Sequence, residues 1–143
     1  MAPLVACDTT ILYAAGNRNA QRHEHGFEII NGADGGELPV LRIPDAVLIE
    51  TMNGLTRDVG HETAVTVLER LQVGSQFDLV REPRTVWDTG IDLFVQVERL
   101  ALADALIVAG ARHSGIGYLY SFDDDFDGLD GITRLNAAMN PFD

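Results

Sequence analysis

Short apolar runs alternate along this chain with longer stretches whose apolar residues recur at helical spacing. Leu4 to Cys7 is the first run, stopped by Asp8, Thr9 and Thr10 and followed by Ile11 to Ala15, which reads as strand, polar turn and helix. Ala20 to Ala33 carries Phe27, Ile29 and Ile30 among polar residues, a weaker amphipathic helix that ends in the glycine-rich stretch Gly32 to Gly36. A second strand is predicted over Pro39 to Ile43. Pro44 and Asp45 then start a helix in which Val47, Leu48, Thr51 and Leu55 recur at helical spacing until Gly60.

His61 to Leu71 repeats the helical pattern with Val65, Leu68 and Leu71, and Phe77 to Val80 is a third strand. Pro83 opens a helix marked by Val86, Trp87, Ile91, Phe94 and Val95. Asp104 to Arg112 is the most apolar helix and ends near Gly115; Tyr118 to Phe122 is a fourth strand, and Ile132 to Leu135 a short fifth. Strands alternating with helices predict a three-layer α/β/α fold around a central parallel sheet of about five strands. No linker or repeat divides residues 1–143, so one domain is expected. In such sheets sites gather at the carboxyl ends of strands, and Asp8 and Asp123 both follow predicted strands, which puts them in reach of one crevice.

Composition changes the picture at one point. An apolar fraction of 46% and a charged fraction of 22% describe an ordinary globular chain, but 22 acidic residues face 10 basic ones, all arginine, for a net charge of -12. A compact chain this acidic repels itself unless salt screens it, and at about 1 M salt the Debye length is only about 3 Å. The balance fits a salt-adapted protein, an acidic surface for a basic partner, or an acidic site that collects cations. The single cysteine, Cys7, excludes an internal disulfide and sits where a small apolar group belongs. No signal peptide or membrane span is expected, so a cytoplasmic location is the default.

Five acids stand out by context. Asp8 closes the first strand, Glu50 interrupts the apolar segment Val47 to Met52, and Asp123 and Asp125 follow the fourth strand. Asp104 lies in Ala103 to Ala109, where the other six residues are apolar, and an unpaired carboxylate buried there is costly. The plainest alternatives are caps for Asp8 and Asp123, and a buried pair of Asp104 with Arg112 or Arg99. Asp45 suits an N-cap, and Asp124, Asp127 and Asp130 suit turns or surface. If the acids converge, their oxygens form the kind of site that takes Mg²⁺ or Mn²⁺, suited to phosphodiester hydrolysis without a nucleophilic side chain.

Other chemistries fit less well. His23 and His25 point to different faces of a helix, and His61 and His113 sit at helix ends, which disfavours a histidine-pair nuclease. A phosphoacceptor domain calls for a lysine, and there is none. Trp87 and the six phenylalanines read as core rather than base-stacking platforms. Without a basic stripe, contacts to a nucleic acid fall to local arginines such as Arg18, Arg22 and Arg42.

These segments resemble the PIN-domain ribonucleases, and among them the VapC-like toxins of toxin–antitoxin pairs. Val5 to Leu12 is similar to the family's opening strand, Asp and turn; Glu50 with Gly54 to its helical Glu segment; Leu102 to Ala109 to the helix with its third acid. Tyr118 to Phe126 is similar to its late strand and acidic turn, with Ser121 at a hydroxyl position. Thr10 departs from the family, where Asn or Ser is often found, though its hydroxyl can still orient a carboxylate or water. The resemblance implies Asp8, Glu50, Asp104 and Asp123 as catalytic acids, Asp8, Asp104, Asp123 and Asp125 as ligands of Mg²⁺ or Mn²⁺, and Thr10 and Ser121 in support. It also implies endonucleolytic cleavage of RNA, an antitoxin that inserts into the acidic groove, and frequently a homodimer. An antitoxin-free RNA-processing nuclease and a non-cleaving binding scaffold are the alternatives within the same fold.

Overall fold

Each apolar run forms a strand in the computed structural model, which describes residues 3–143. The strands are β1 (Leu4–Cys7), β2 (Val40–Pro44), β3 (Phe77–Val80), β4 (Tyr118–Tyr120) and β5 (Thr133–Leu135). They make one sheet in the order β3-β2-β1-β4-β5, and every neighbouring pair is parallel. The first half of the chain builds outward from β1 on one side, and the last third returns to the other side. The reversal point therefore lies between β1 and β4, where Ala6 is opposite Leu119 and Cys7 opposite Tyr120. Val5, Ala6 and Cys7 are all buried because helices cover both faces of the sheet, which is why β1 reads as a continuous apolar run rather than an alternating one.

Six helices make up the outer layers: α1 (Thr9–Gly16), α2 (His23–Asp34), α3 (Asp45–Asp58), α4 (His61–Val73), α5 (Arg84–Gln96) and α6 (Leu102–His113). They pack as successive pairs, α1 with α2, α3 with α4 and α5 with α6. Three boundaries differ from the sequence reading for local reasons. Helix α1 starts at Thr9 because Asp8 is its N-cap and accepts the Thr9 N–H. Residues 20–22 form a turn, so α2 starts only at His23. Helix α6 starts at Leu102, which places Asp104 in its first turn. Pro44, not Asp45, holds the cap position of α3, and the Asp45 carboxylate accepts the Ala46 N–H at 3.0 Å.

Two expectations are corrected here. Trp87 is 37% exposed, and Phe27, Phe94 and Phe142 are also exposed; only Phe77 and Phe126 are buried and Phe122 partly so. On α5, Trp87, Ile91, Phe94 and Val95 recur at helical spacing and form an apolar face turned to solvent, which the pattern alone cannot distinguish from a core face. Arg42 is not a surface arginine. It is 5% exposed in β2 and donates from Nη1 to Glu82 Oε2 at 3.0 Å and from Nη2 to Glu82 Oε1, beside Gly110 of α6. A residue in mid-strand of a doubly covered sheet has no path to water, so the charge is answered internally. No helix among the described residues is long and apolar enough to cross a membrane.

Candidate active site

The carboxyl end of β1 delivers Asp8 to the reversal point of the sheet. Its side chain is 2% exposed and hydrogen-bonded at both oxygens: Oδ1 accepts the Thr9 N–H at 2.7 Å, and Oδ2 accepts the Thr10 hydroxyl at 2.8 Å and the Ser121 hydroxyl at 2.7 Å. Those hydroxyls are themselves held, Thr10 Oγ1 by the Phe122 N–H at 3.1 Å and Ser121 Oγ by the Asp123 N–H at 3.0 Å. The ends of β1 and β4 are thus laced together by side chains from α1 and from the turn after β4. Burial pushes the Asp8 carboxyl above the usual carboxylate range, and the bonds from Ser121, Thr10 and the backbone pull against that shift.

Asp123 caps a single 3-10 turn, Asp124–Phe126, its Oδ1 accepting the Asp125 N–H at 2.9 Å. The cap roles open to Asp8 and Asp123 in the sequence are therefore real, and each cap consumes one oxygen while leaving the carboxylate in the crevice. Asp104 enters from the first turn of α6, where the partial positive charge of the helix N-terminus favours an anion. Its carboxyl is nonetheless pushed up to about 7, first by burial and then by the negative charges of Asp8, Asp123 and Glu50, with a backbone bond to Ala101 opposing. Four acids from four separate segments therefore share one field.

Glu50 is exposed on α3 and is held by the Thr9 hydroxyl, which donates to its Oε1 at 2.7 Å. Asp125 is half-buried beside Asp123 but is not among the charges that raise Asp104. Asp124, read from the sequence as a surface residue, is exposed, and its carboxylate lies with those of Asp123 and Asp125, one oxygen of each within 4.8 Å of the others. The three make a cluster suited to a divalent cation.

Among the described residues, no arginine forms an ion pair with Asp8, Glu50, Asp104 or Asp123. The expected partners of Asp104 are engaged elsewhere: Arg99 donates to the carbonyls of Asp125 and Asp127, and Arg112 to that of Asp130. Converging carboxylates that form no ion pair with a cationic side chain fit a hard divalent ion such as Mg²⁺ or Mn²⁺, whose preferred ligands are oxygens. The histidines do not assemble; His23 Nδ1 faces the Ala14 carbonyl at 2.8 Å, and the other three are exposed. The role of Thr9 escaped the sequence reading, although two hydroxyls in the first turn of a helix leave it in different directions and can serve two acids at once. Arg22 was named among the local arginines, but its place over Phe122, with the guanidinium carbon 5.2 Å from the ring centre, escaped, because nothing in the sequence joins positions so far apart.

Solved structures share this architecture. The Mycobacterium tuberculosis toxin VapC20, which cleaves the sarcin–ricin loop, is 23% identical at a TM-score of 0.76 over 90% of this chain and 98% of that one. A toxin–antitoxin complex from Klebsiella pneumoniae is 20% identical at 0.65 over 90% and 95%. VapBC2 from Rickettsia felis, bound to a DNA fragment from its promoter, is 15% identical at 0.69 over 92% and 97%. At these identities the likeness is one of fold. No curated protein matches the chain. The sequence itself matches the PIN domain over residues 5–132, and with its parallel sheet and acidic crevice in place the chain belongs to the PIN-domain family.

Proposed function

We propose that this chain is a divalent-metal-dependent endoribonuclease, the toxin of a VapBC-type toxin–antitoxin pair. The observation that carries the reading is the convergence of Asp8, Glu50, Asp104 and Asp123 from four segments, none of them in an ion pair with an arginine among the described residues. Asp8, Asp104, Asp123 and Asp125 would hold Mg²⁺ or Mn²⁺, which supplies orientation of the scissile phosphate, a more acidic attacking water and relief of charge on the leaving oxygen. Thr10 and Ser121 fix the orientation of Asp8, and Thr9 fixes Glu50 at Oε1, leaving Glu50 Oε2 to accept a proton.

Toxins and toxin–antitoxin complexes among the solved structures of this fold support the toxin role, and with it a cognate antitoxin and a cytoplasmic RNA target. The apolar face of α5 supports a homodimer, because an exposed stripe of Trp87, Ile91, Phe94 and Val95 gains from being covered.

The test is cleavage of a pool of structured RNAs at high salt with Mg²⁺, with Mn²⁺ and with chelator. Wild type is expected to cleave only with metal, and Asp8→Asn and Asp104→Asn to lose cleavage while remaining folded. Cleavage by Asp104→Asn at the wild-type rate overturns its assignment as a ligand, and metal binding without cleavage of any RNA overturns the nuclease reading in favour of a binding scaffold.

A further inference from the structure

A chain with a net charge of -12 still has to bring a polyanion to an acidic crevice, and its arginines are mostly committed. Arg42 is buried against Glu82, Arg57 is paired with Asp58, Arg70 with Asp34 and Arg134 with Asp127, while Arg99 and Arg112 are tied to backbone carbonyls. Of the rest, Arg22 lines a cavity that also contains one of the four convergent acids. That cavity, about 340 Å³, lies on the Asp123 side of the crevice and is bounded by Thr10, Tyr13, Arg22, Phe122 and Asp123. Thr10 and Asp123 belong to the carboxylate network, so whatever enters the cavity touches the crevice wall.

Arg22 is exposed at the start of α2 and is held over the Phe122 ring, an arrangement that restrains the guanidinium without neutralising it. Phe122 is fixed in turn, since its N–H donates to Thr10. A planar cation, an aromatic ring and a phenol around a space near the lower end of ligand-pocket volumes, about 300 Å³, make a site for one unpaired nucleotide rather than for a duplex.

Resting on the ribonuclease reading, we propose that this cavity is the subsite for the single-stranded ribonucleotide adjoining the scissile phosphate. Arg22 contacts that nucleotide's phosphate, and the Arg22–Phe122 stack with Tyr13 receives its base. Arg22 and Phe122 are positioning residues that select unpaired RNA at the crevice and take no part in the bond cleavage.

The experiment measures kcat and KM for a cleaved RNA oligonucleotide, single-stranded and annealed to its complement, with full-length wild type, Arg22→Ala, Arg22→Lys, Phe122→Leu and the control Arg84→Ala. Arg22→Ala is expected to raise KM about tenfold with kcat within about twofold, Arg22→Lys to recover part of the loss, and Phe122→Leu to raise KM in the same direction. The annealed substrate is expected to be poor for wild type, and Arg84→Ala to match wild type. Arg22 is exposed, so equal melting temperatures for wild type and Arg22→Ala exclude a folding cause. Wild-type cleavage with an unchanged KM in Arg22→Ala overturns the subsite alone; no metal-dependent cleavage by wild type overturns the ribonuclease reading and the subsite with it.

Discussion

Asp104 sits in the first turn of α6 with its neighbours Ala105 to Ala111 buried, and its carboxyl is pushed up to about 7. In the unfolded chain the same group titrates near the usual carboxylate value of 3.8. Between those values the folded state holds a proton that the unfolded state has released, so stability from this group is full below 3.8 and is lost as pH rises through 7. Without divalent ions, Asp104→Asn is therefore expected to melt at a higher temperature than wild type at pH 8, with the gap closing towards pH 4. Paired melts in chelator across that range check it, and a constant gap would place the cost elsewhere than in the charge. The acids were legible in the sequence because a carboxylate in an apolar context is anomalous, as with Asp104, or because it ends a predicted strand, as with Asp8. The partners were less so. Thr9 on Glu50, Arg22 over Phe122 and the burial of Arg42 all depend on contacts between distant segments, to which local pattern is blind.

At the scale of elements, the buried pair of Arg42 and Glu82 joins β2, the connection from β3 to α5, and α6. A methyl group added to Gly110 would meet Glu82 Oε2 at 1.9 Å, so α6 approaches the pair as closely as a glycine allows. Glu82→Ala leaves a guanidinium buried without its partner and is expected to cost about 3–5 kcal/mol in urea unfolding. A loss near zero would mean that water reaches Arg42. The outer face of α5 makes the opposite case, apolar residues with nothing over them. Ile91→Glu is expected to convert the proposed dimer to monomer in sedimentation without changing the melting temperature of the monomer, and an unaltered sedimentation profile would remove α5 from the interface. The elements themselves were legible to within a few residues, since apolar strands under two helical layers and helices stopped by Gly60 or opened by Pro83 are local signals. What α5 and Arg42 face was not, because periodicity separates two sides of an element without saying which one the sheet covers.

The whole molecule is dominated by unlike numbers of charges. Its ion pairs Arg57–Asp58, Arg70–Asp34 and Arg134–Asp127 lie at the surface, where each contributes little and salt weakens it further. Self-repulsion is the larger effect for a chain of charge -12, so the melting temperature is expected to rise by roughly 5 °C between about 0.1 and 1 M KCl, as the Debye length falls from about 10 to about 3 Å. A melting temperature that falls with salt would mean that the surface pairs outweigh the repulsion. The sheet order has a further consequence. Because β1 lies between β2 and β4, Asp8 must wait for Ser121, which lies 113 positions further along the chain. A ribosome that has released everything through α5 has made β1, β2 and β3, yet neither Asp104, nor Ser121, nor the acidic turn. A growing chain that stops short of these residues therefore carries no complete crevice, and the proposed nuclease comes into being only when α6, β4 and the acidic turn have folded back beside the first strand.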